Sequence, residues 1–191
     1  RRLNSMNTFS MNLAKYLAYN AQANNLFLKN LQEFKDPPEV KNRLSHLMAH
    51  ILFAQYVWAA RVEGWAPRFL PLDVERVILS PPAESEEGHQ EPTMAHLDLA
   101  QWSAPPSFPE FFNEVLLRKF QMLLETIPGD TWVHYKNLQG ASCRNIFSDI
   151  VLHVCNHGTH HRAQMAFLMR QAGFQPPASD YILFARSGGW M

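Results

Sequence analysis

The 191-residue chain carries 17 Lys and Arg against 17 Asp and Glu, a formal net charge of zero. That balance removes the electrostatic basis for holding DNA, RNA or an anionic membrane. The length fits one domain across residues 1–191 with a substantial core, to which 13 Phe, 5 Trp and 5 Tyr contribute.

The two cysteines, Cys143 and Cys155, lack CxxC spacing and do not form a disulfide framework. Cys155 falls within a helical pattern and reads as a small buried residue. Arg1-Arg2-Leu3-Asn4-Ser5-Met6 is basic, but no apolar stretch of signal-peptide type follows. The longest apolar run, Ile51 to Ala60, is interrupted by Gln55 and is too short to span a bilayer. A cytoplasmic protein with no membrane partner is the expectation.

The first helix is predicted from about Phe9 to Phe34, with Leu13, Tyr16, Leu17, Asn20, Asn24, Phe27, Leu28 and Leu31 at helical spacing. Asp36-Pro37-Pro38-Glu39 ends it and starts the second helix, with Asp36 as N-cap, Pro37 in the first position and Glu39 closing a capping box. The second helix continues through Val40, Leu44, Leu47, Ile51, Ala54 and Trp58 to about Gly64. From Trp65 to Pro106 the prolines 67, 71, 81, 82, 92, 105 and 106 break any long element; only a short helix near Met94–Trp102 is expected there.

A third helix begins at a capping box, Ser107-Phe108-Pro109-Glu110, and runs to Ile127 before Pro128-Gly129. Trp132-Val133-His134-Tyr135 and the turn residues Asn137 to Gly140 predict a short β-hairpin. The fourth helix spans about Asn145 to Ala172 and stops at Gly173, ahead of Pro176-Pro177. The fold class is therefore all-α: a four-helix bundle with a long proline-rich crossover between helices two and three and a hairpin before helix four. The tight turn makes helices one and two antiparallel neighbours. The crossover of roughly 40 residues is long enough for helices two and three to run parallel.

Nine histidines are present, and four fall in one run of helix four. With 100° per residue and the apolar face centred on Ile150, with Val154, Leu168 and Ala172, His157 and His161 lie within about 20° of the centre. His153 and His160 lie about 60–80° to one side. Imidazoles in an apolar stripe are costly unless something binds their nitrogens, and a metal ion does so most simply.

His153 and His161 stand about 12 Å apart along the axis and cannot share an ion at bonds of about 2 Å. His157 with His161 is the preferred pair, and His153 with His157 is the alternative. A third ligand must come from another helix. On helix two, His50 lies roughly 80° from the face centre and His46 roughly 120°, which favours His50. The metal site is thus read as His50, His157 and His161, with an open coordination position.

Three neutral imidazoles suit Zn²⁺, Ni²⁺ or Fe²⁺ and leave the ion its full positive charge. His153 and His160 flank the site. Gln164 is a supporting or substrate-contact residue, and Asn20 and Asn24 either orient ligands or join helices by hydrogen bonds. Gly158 permits close helix approach. His89, His96 and His134 fall in connections and read as solvated.

The run His153-Val154-Cys155-Asn156-His157-Gly158-Thr159-His160-His161-Arg162-Ala163-Gln164 resembles the DinB/YfiT-like superfamily of metal-binding four-helix bundles. Leu168-Met169-Arg170-Gln171-Ala172-Gly173, Pro176-Pro177-Ala178-Ser179-Asp180-Tyr181, Tyr19-Asn20-Ala21-Gln22-Ala23-Asn24 and His50 with Trp58 fit as well. The likeness spans nearly all of the chain except the proline-rich link. It implies a metal held by His50, His157 and His161. The chain departs from the pattern at His160, where Tyr is common, and at Ala163, where Gly is common.

Relatives of this kind include thiol-dependent S-transferases and a thiol-dependent isomerase. The favoured expectation is a metal-dependent S-transferase using a low-molecular-weight thiol on a small-molecule substrate. A metal-dependent hydrolase and a non-catalytic, stress-associated metal-binding protein are the alternatives, and exposed aromatic surface would support a homodimer.

Overall fold

The computed structural model describes residues 8–34, 37–64, 108–137 and 139–188. Its elements in chain order are α1 (Thr8–Glu33), α2 (Pro38–Glu63), α3 (Phe108–Thr126), β1 (Trp132–Lys136), β2 (Ser142–Ile146), α4 (Phe147–Gln171) and α5 (Tyr181–Ser187). The fold is mostly helical with one small antiparallel sheet. The proline-rich link, the helix expected near Met94–Trp102, His89, His96, Asp36 and Ser107 lie outside the described residues.

Helix ends follow local chemistry, with two shifts from expectation. Pro37, not Asp36, is the N-cap of α2; it has extended geometry and no side-chain cap, and Pro38 opens the helix. A proline there loses nothing, because a first-turn N–H has no helical partner anyway. The α4 helix begins at Phe147 rather than Asn145, because Asn145 and Ile146 stay in the sheet opposite Val133 and Trp132.

The C-terminus of α4 closes with two bonds: Gly173 N–H to Arg170 O at 3.0 Å and Phe174 N–H to Met169 O at 2.9 Å. Gly173 has φ 75°, which only glycine adopts freely. Phe174 then packs against Phe34 with ring centroids 5.2 Å apart, tying this end of α4 to the end of α1.

Side-chain pairings give the helix directions. Tyr56 meets Phe112 and Glu63 meets Lys119, so α2 and α3 run parallel, as the long crossover allows. Lys119 is almost wholly buried, and its ammonium is held at 2.6 Å by Glu63. Gln32 pairs with Glu110 and Asn24 with Asn113, so α1 and α3 are antiparallel.

The α2 and α4 helices pack extensively and also run antiparallel: Trp58 meets His153, and His50 meets His157 and His161. The expected α1–α2 neighbourhood is weak. Despite the short turn, each of these helices lies mainly against α3 and α4.

Two large clusters make up most of the apolar interior among the described residues. One gathers Phe27, Phe34, Met48, Leu52, Phe112, Met165 and Met169. The other gathers Leu13, Leu17, Phe120, Phe147, Val151 and Val154. Between them in sequence lie buried Asn20 and Asn24 of α1 and Arg162 of α4, which bond to one another, with Asn113 of α3 attached to Asn24.

Gly158 makes this polar layer possible. A Cβ there would lie 2.5 Å from Asn20 Oδ1 and 2.8 Å from Arg162 Nη1. An alanine normally strengthens a helix interior by about 1 kcal/mol over glycine. Gly158→Ala is expected to do the opposite and lower the melting temperature, because the oxygen it strikes is pinned by a buried guanidinium. A melt at or above wild type would show that the layer is not tightly set.

One element has no counterpart in the sequence reading. The seven-residue α5 lays Tyr181 and Phe184 against Tyr19, with ring centroids 5.2 and 5.8 Å away. Tyr19 also donates its hydroxyl to Ser179 O at 2.9 Å, so the segment beyond α4 is fastened to α1.

Candidate metal centre

His50, on the α2 face turned toward α4, and His157 and His161, one turn apart on α4, converge. Their Nε2 atoms are 3.1 Å apart for His50 and His157, and again for His157 and His161. Ligand nitrogens of all three fall within 4.8 Å of one another, a cluster that could hold a metal ion. The spacing matches the donor set: bonds of about 2.0 Å at a tetrahedral angle place two nitrogens about 3.3 Å apart. Among the described residues no carboxylate or thiol joins the group.

The three histidines singled out in the sequence do come together, but their place on the helix differs from expectation. The buried face of α4 carries Val151, Val154, Cys155, Gly158, Arg162, Met165 and Met169. Its middle lies near Gly158, about 80° from Ile150. His157 and His161 therefore sit at the rim, half-buried, where one side faces the protein and the other faces solvent. The difference has a physical origin: glycine and arginine carry no apolar signature, although here Gly158 and Arg162 both belong to the buried face.

The flanking residues sort by their contacts. Gln164 Oε1 accepts from His161 Nδ1–H at 2.8 Å, and Gln164 Nε2 donates to His160 Nε2 at 3.1 Å. The first bond puts the His161 proton on Nδ1 and leaves the Nε2 lone pair directed at the cluster. His160 is exposed, and its ring centre lies 4.9 Å from that of His161. His153 is exposed too and packs edge-on against Trp58, with its ring 5.8 Å from that of His157. His134 is exposed on β1, as expected for a solvated residue.

Asn20 and Asn24 do not reach the cluster. Their Oδ1 atoms accept from Arg162 Nη1 at 2.7 and 2.6 Å, while Arg162 Nη2 donates to Thr159 Oγ1 at 3.1 Å.

The model of the DinB family matches residues 6–190. The chain belongs to the DinB family. It is also similar to "Protein DinB" of Bacillus subtilis (strain 168), 20% identical over 178 residues, covering 89% of this chain and 91% of that protein. No solved structure gives a match. The family likeness read from the helix-four histidine run is thereby borne out.

Two features of this DinB-family chain escaped the sequence reading. Arg162, 2% exposed, is the buried cation at the middle of α4. The only sequence signal for it was Gly158 one turn earlier, together with Asn20 and Asn24 one turn apart on α1. The second feature is a wall beside His153, where Trp58 meets Tyr135 of the hairpin at 5.1 Å and the Arg61 guanidinium lies 4.9 Å over the indole.

Burial and neighbouring groups favour the neutral form of His157, His50 and His153. Burial, then the fields of His161, His50, His153 and His160, push His157 down to about 3 from its ordinary 6.5. Burial, then His161, lowers His50; burial, then Arg61, lowers His153. A neutral imidazole is the form that ligates a metal. Burial pushes the Cys155 thiol up to about 12, despite the opposing pull of Arg162, so it is a packed thiol and not a nucleophile. Among the described residues no helix is long and apolar enough to cross a membrane.

The lowered histidines set the acid response of the metal-free protein. Below pH 6.5 the unfolded chain protonates His157, whereas the folded chain resists until about pH 3. Unfolding therefore takes up a proton in that window, and stability falls as the pH falls through it, levelling off below. The melting temperature is expected to drop between pH 7 and pH 4, and less steeply in His157→Asn. Identical slopes would remove His157 as a cause.

Proposed function

We propose that His50, His157 and His161 hold one divalent transition metal ion, Zn²⁺, Ni²⁺ or Fe²⁺, on a four-helix bundle formed by α1 to α4 as a single domain. In this reading the chain is a metal-dependent enzyme acting on a small molecule, and specifically a thiol-dependent S-transferase. The observation that carries it is the convergence of three half-buried Nε2 atoms with no fourth protein ligand among the described residues. A purely structural ion is more often enclosed by four protein ligands; three at the rim of a helix pair leave room for a substrate.

When bound, the ion would supply a Lewis acid that lowers the pKa of a thiol and offsets charge at the reacting centre. The chain's own residues do the remaining work. Gln164 holds the His161 ring with its lone pair turned inward. The Trp58 indole holds His153 edge-on, and the His153 ring in turn lies 5.8 Å from that of His157. In the transfer the thiol proton leaves to solvent, sulfur forms a bond to an electrophilic carbon, and the leaving group departs with its bonding electrons.

A cytoplasmic location and a homodimeric state belong to the same reading. Light scattering after size-exclusion chromatography checks the second. Elemental analysis of protein purified without an affinity tag tests the centre itself: about one ion per chain is expected, and a content near zero sinks the proposal. Thiol-dependent consumption of 1-chloro-2,4-dinitrobenzene by the loaded protein then separates a transferase from a hydrolase or a non-catalytic metal-binding protein.

A further inference from the structure

A groove of about 780 Å³ opens beside the histidine cluster on the α2–α4 seam. Because the two helices are antiparallel, it leads from the cluster toward the start of α2 and the end of α4. Its polar lining includes Arg43, His46, His160 and Gln164; Leu47 and Phe167 are among its apolar side chains. No Asp or Glu lines it among the described residues. Phe167 is 59% exposed, an unusual state for a phenyl ring on a helix that otherwise packs well.

Arg43 forms no hydrogen bond or ion pair among the described residues, and it lies about five-sixths of a helical turn before His46 on the same groove. A guanidinium, two imidazoles and a carboxamide around an aromatic wall recognise a negative charge joined to an apolar body.

The register gives the length. Arg43 and His50 are seven residues apart, about 10 Å along α2, and Phe167 stands about 9 Å along α4 from His161. Gln164 joins the two regions, since it lines the groove while bonding His161.

We propose that this groove binds the substrate as a small organic carboxylate. Its anionic group meets Arg43 and His46, its apolar body crosses Phe167, and its far end reaches the three histidines about 10 Å away. The direction of the ligand rests on the proposed metal centre; the groove itself does not.

The test uses 4-phenylbutyrate as probe and 4-phenylbutyramide as its uncharged counterpart, each titrated into ¹⁵N-labelled protein as purified and after chelation. Chelation removes any binding of the carboxylate to an ion, so a failed metal centre and a failed groove give different results. Shifts at Phe167 and Gln171 with tighter binding of the carboxylate than the amide are expected in both samples. Arg43→Gln should weaken the carboxylate about tenfold and leave the amide unchanged. Phe167→Ser should weaken both. Equal affinity for the two probes, an unchanged carboxylate titration in Arg43→Gln, or no shift up to about 10 mM would overturn the proposal.

Discussion

His157→Ala is expected to reduce metal content from about one ion per chain to near zero, with affinity at least about 100-fold weaker. That bound follows from comparison with outer partners, whose removal alone typically costs about 10–100-fold. His157 is the ligand to remove because its Nε2 lies 3.1 Å from the Nε2 of His50 and 3.1 Å from that of His161. The side chain is half-buried at a helix rim and alanine favours helix, so the fold should survive.

Two companions make the result specific. Gln164→Ala, which frees the His161 ring, should fall in the 10–100-fold range. His153→Ala should leave the ion content unchanged, because its ring packs on Trp58 and beside His157 without placing a nitrogen in the three-histidine group. Isothermal titration with Zn²⁺ against a competing chelator measures all three. Full occupancy in His157→Ala would overturn the centre, and an empty site in His153→Ala would move it to the pair His153 and His157.

Arg162→Ala is expected to destabilise the protein by about 3–5 kcal/mol, the cost of breaking a buried charged network by removing one member. The guanidinium serves Asn20, Asn24 and Thr159 together. Its loss leaves two buried amide oxygens short of a donor and opens a cavity beside Gly158. For a chain of this size the melting temperature should fall by about 10 °C or more. Arg162→Met would restore volume but not donors and should cost less than alanine. Denaturant unfolding of Arg162→Ala, Asn20→Ala and the double variant measures the coupling. A loss under about 1 kcal/mol for Arg162→Ala would mean that water replaces the guanidinium without penalty.

The long helices were legible because each repeats apolar residues over many turns, and their breaks carry Pro or Gly. Spacing also identified the histidines: i, i+4 on one helix and a single inward-leaning His50 on another leave few combinations that can meet. What escaped was decided by tertiary contact. Arg162 is a charged residue, and nothing local shows that Gly158 and two asparagines from α1 make its burial tolerable. The α5 helix is seven residues long and keeps Tyr181, Ile182 and Leu183 largely exposed, so no amphipathic stripe announces it. Asn145 continued a helical pattern in sequence, but pairing with Val133 held it in the sheet.

The polar layer has a consequence for how the long helices are aligned. Apolar side chains alone define axial position poorly, since sliding α4 by one turn, about 5.4 Å, exchanges one set of methyl and methylene contacts for another of similar worth. Arg162 can meet both asparagines at only one setting. A slide of that size would strand the guanidinium in hydrocarbon and carry His157 and His161 past His50. The same buried residues that contribute nothing to ligation therefore act as a detent, and a more stable all-apolar interior would release the histidines from their shared height.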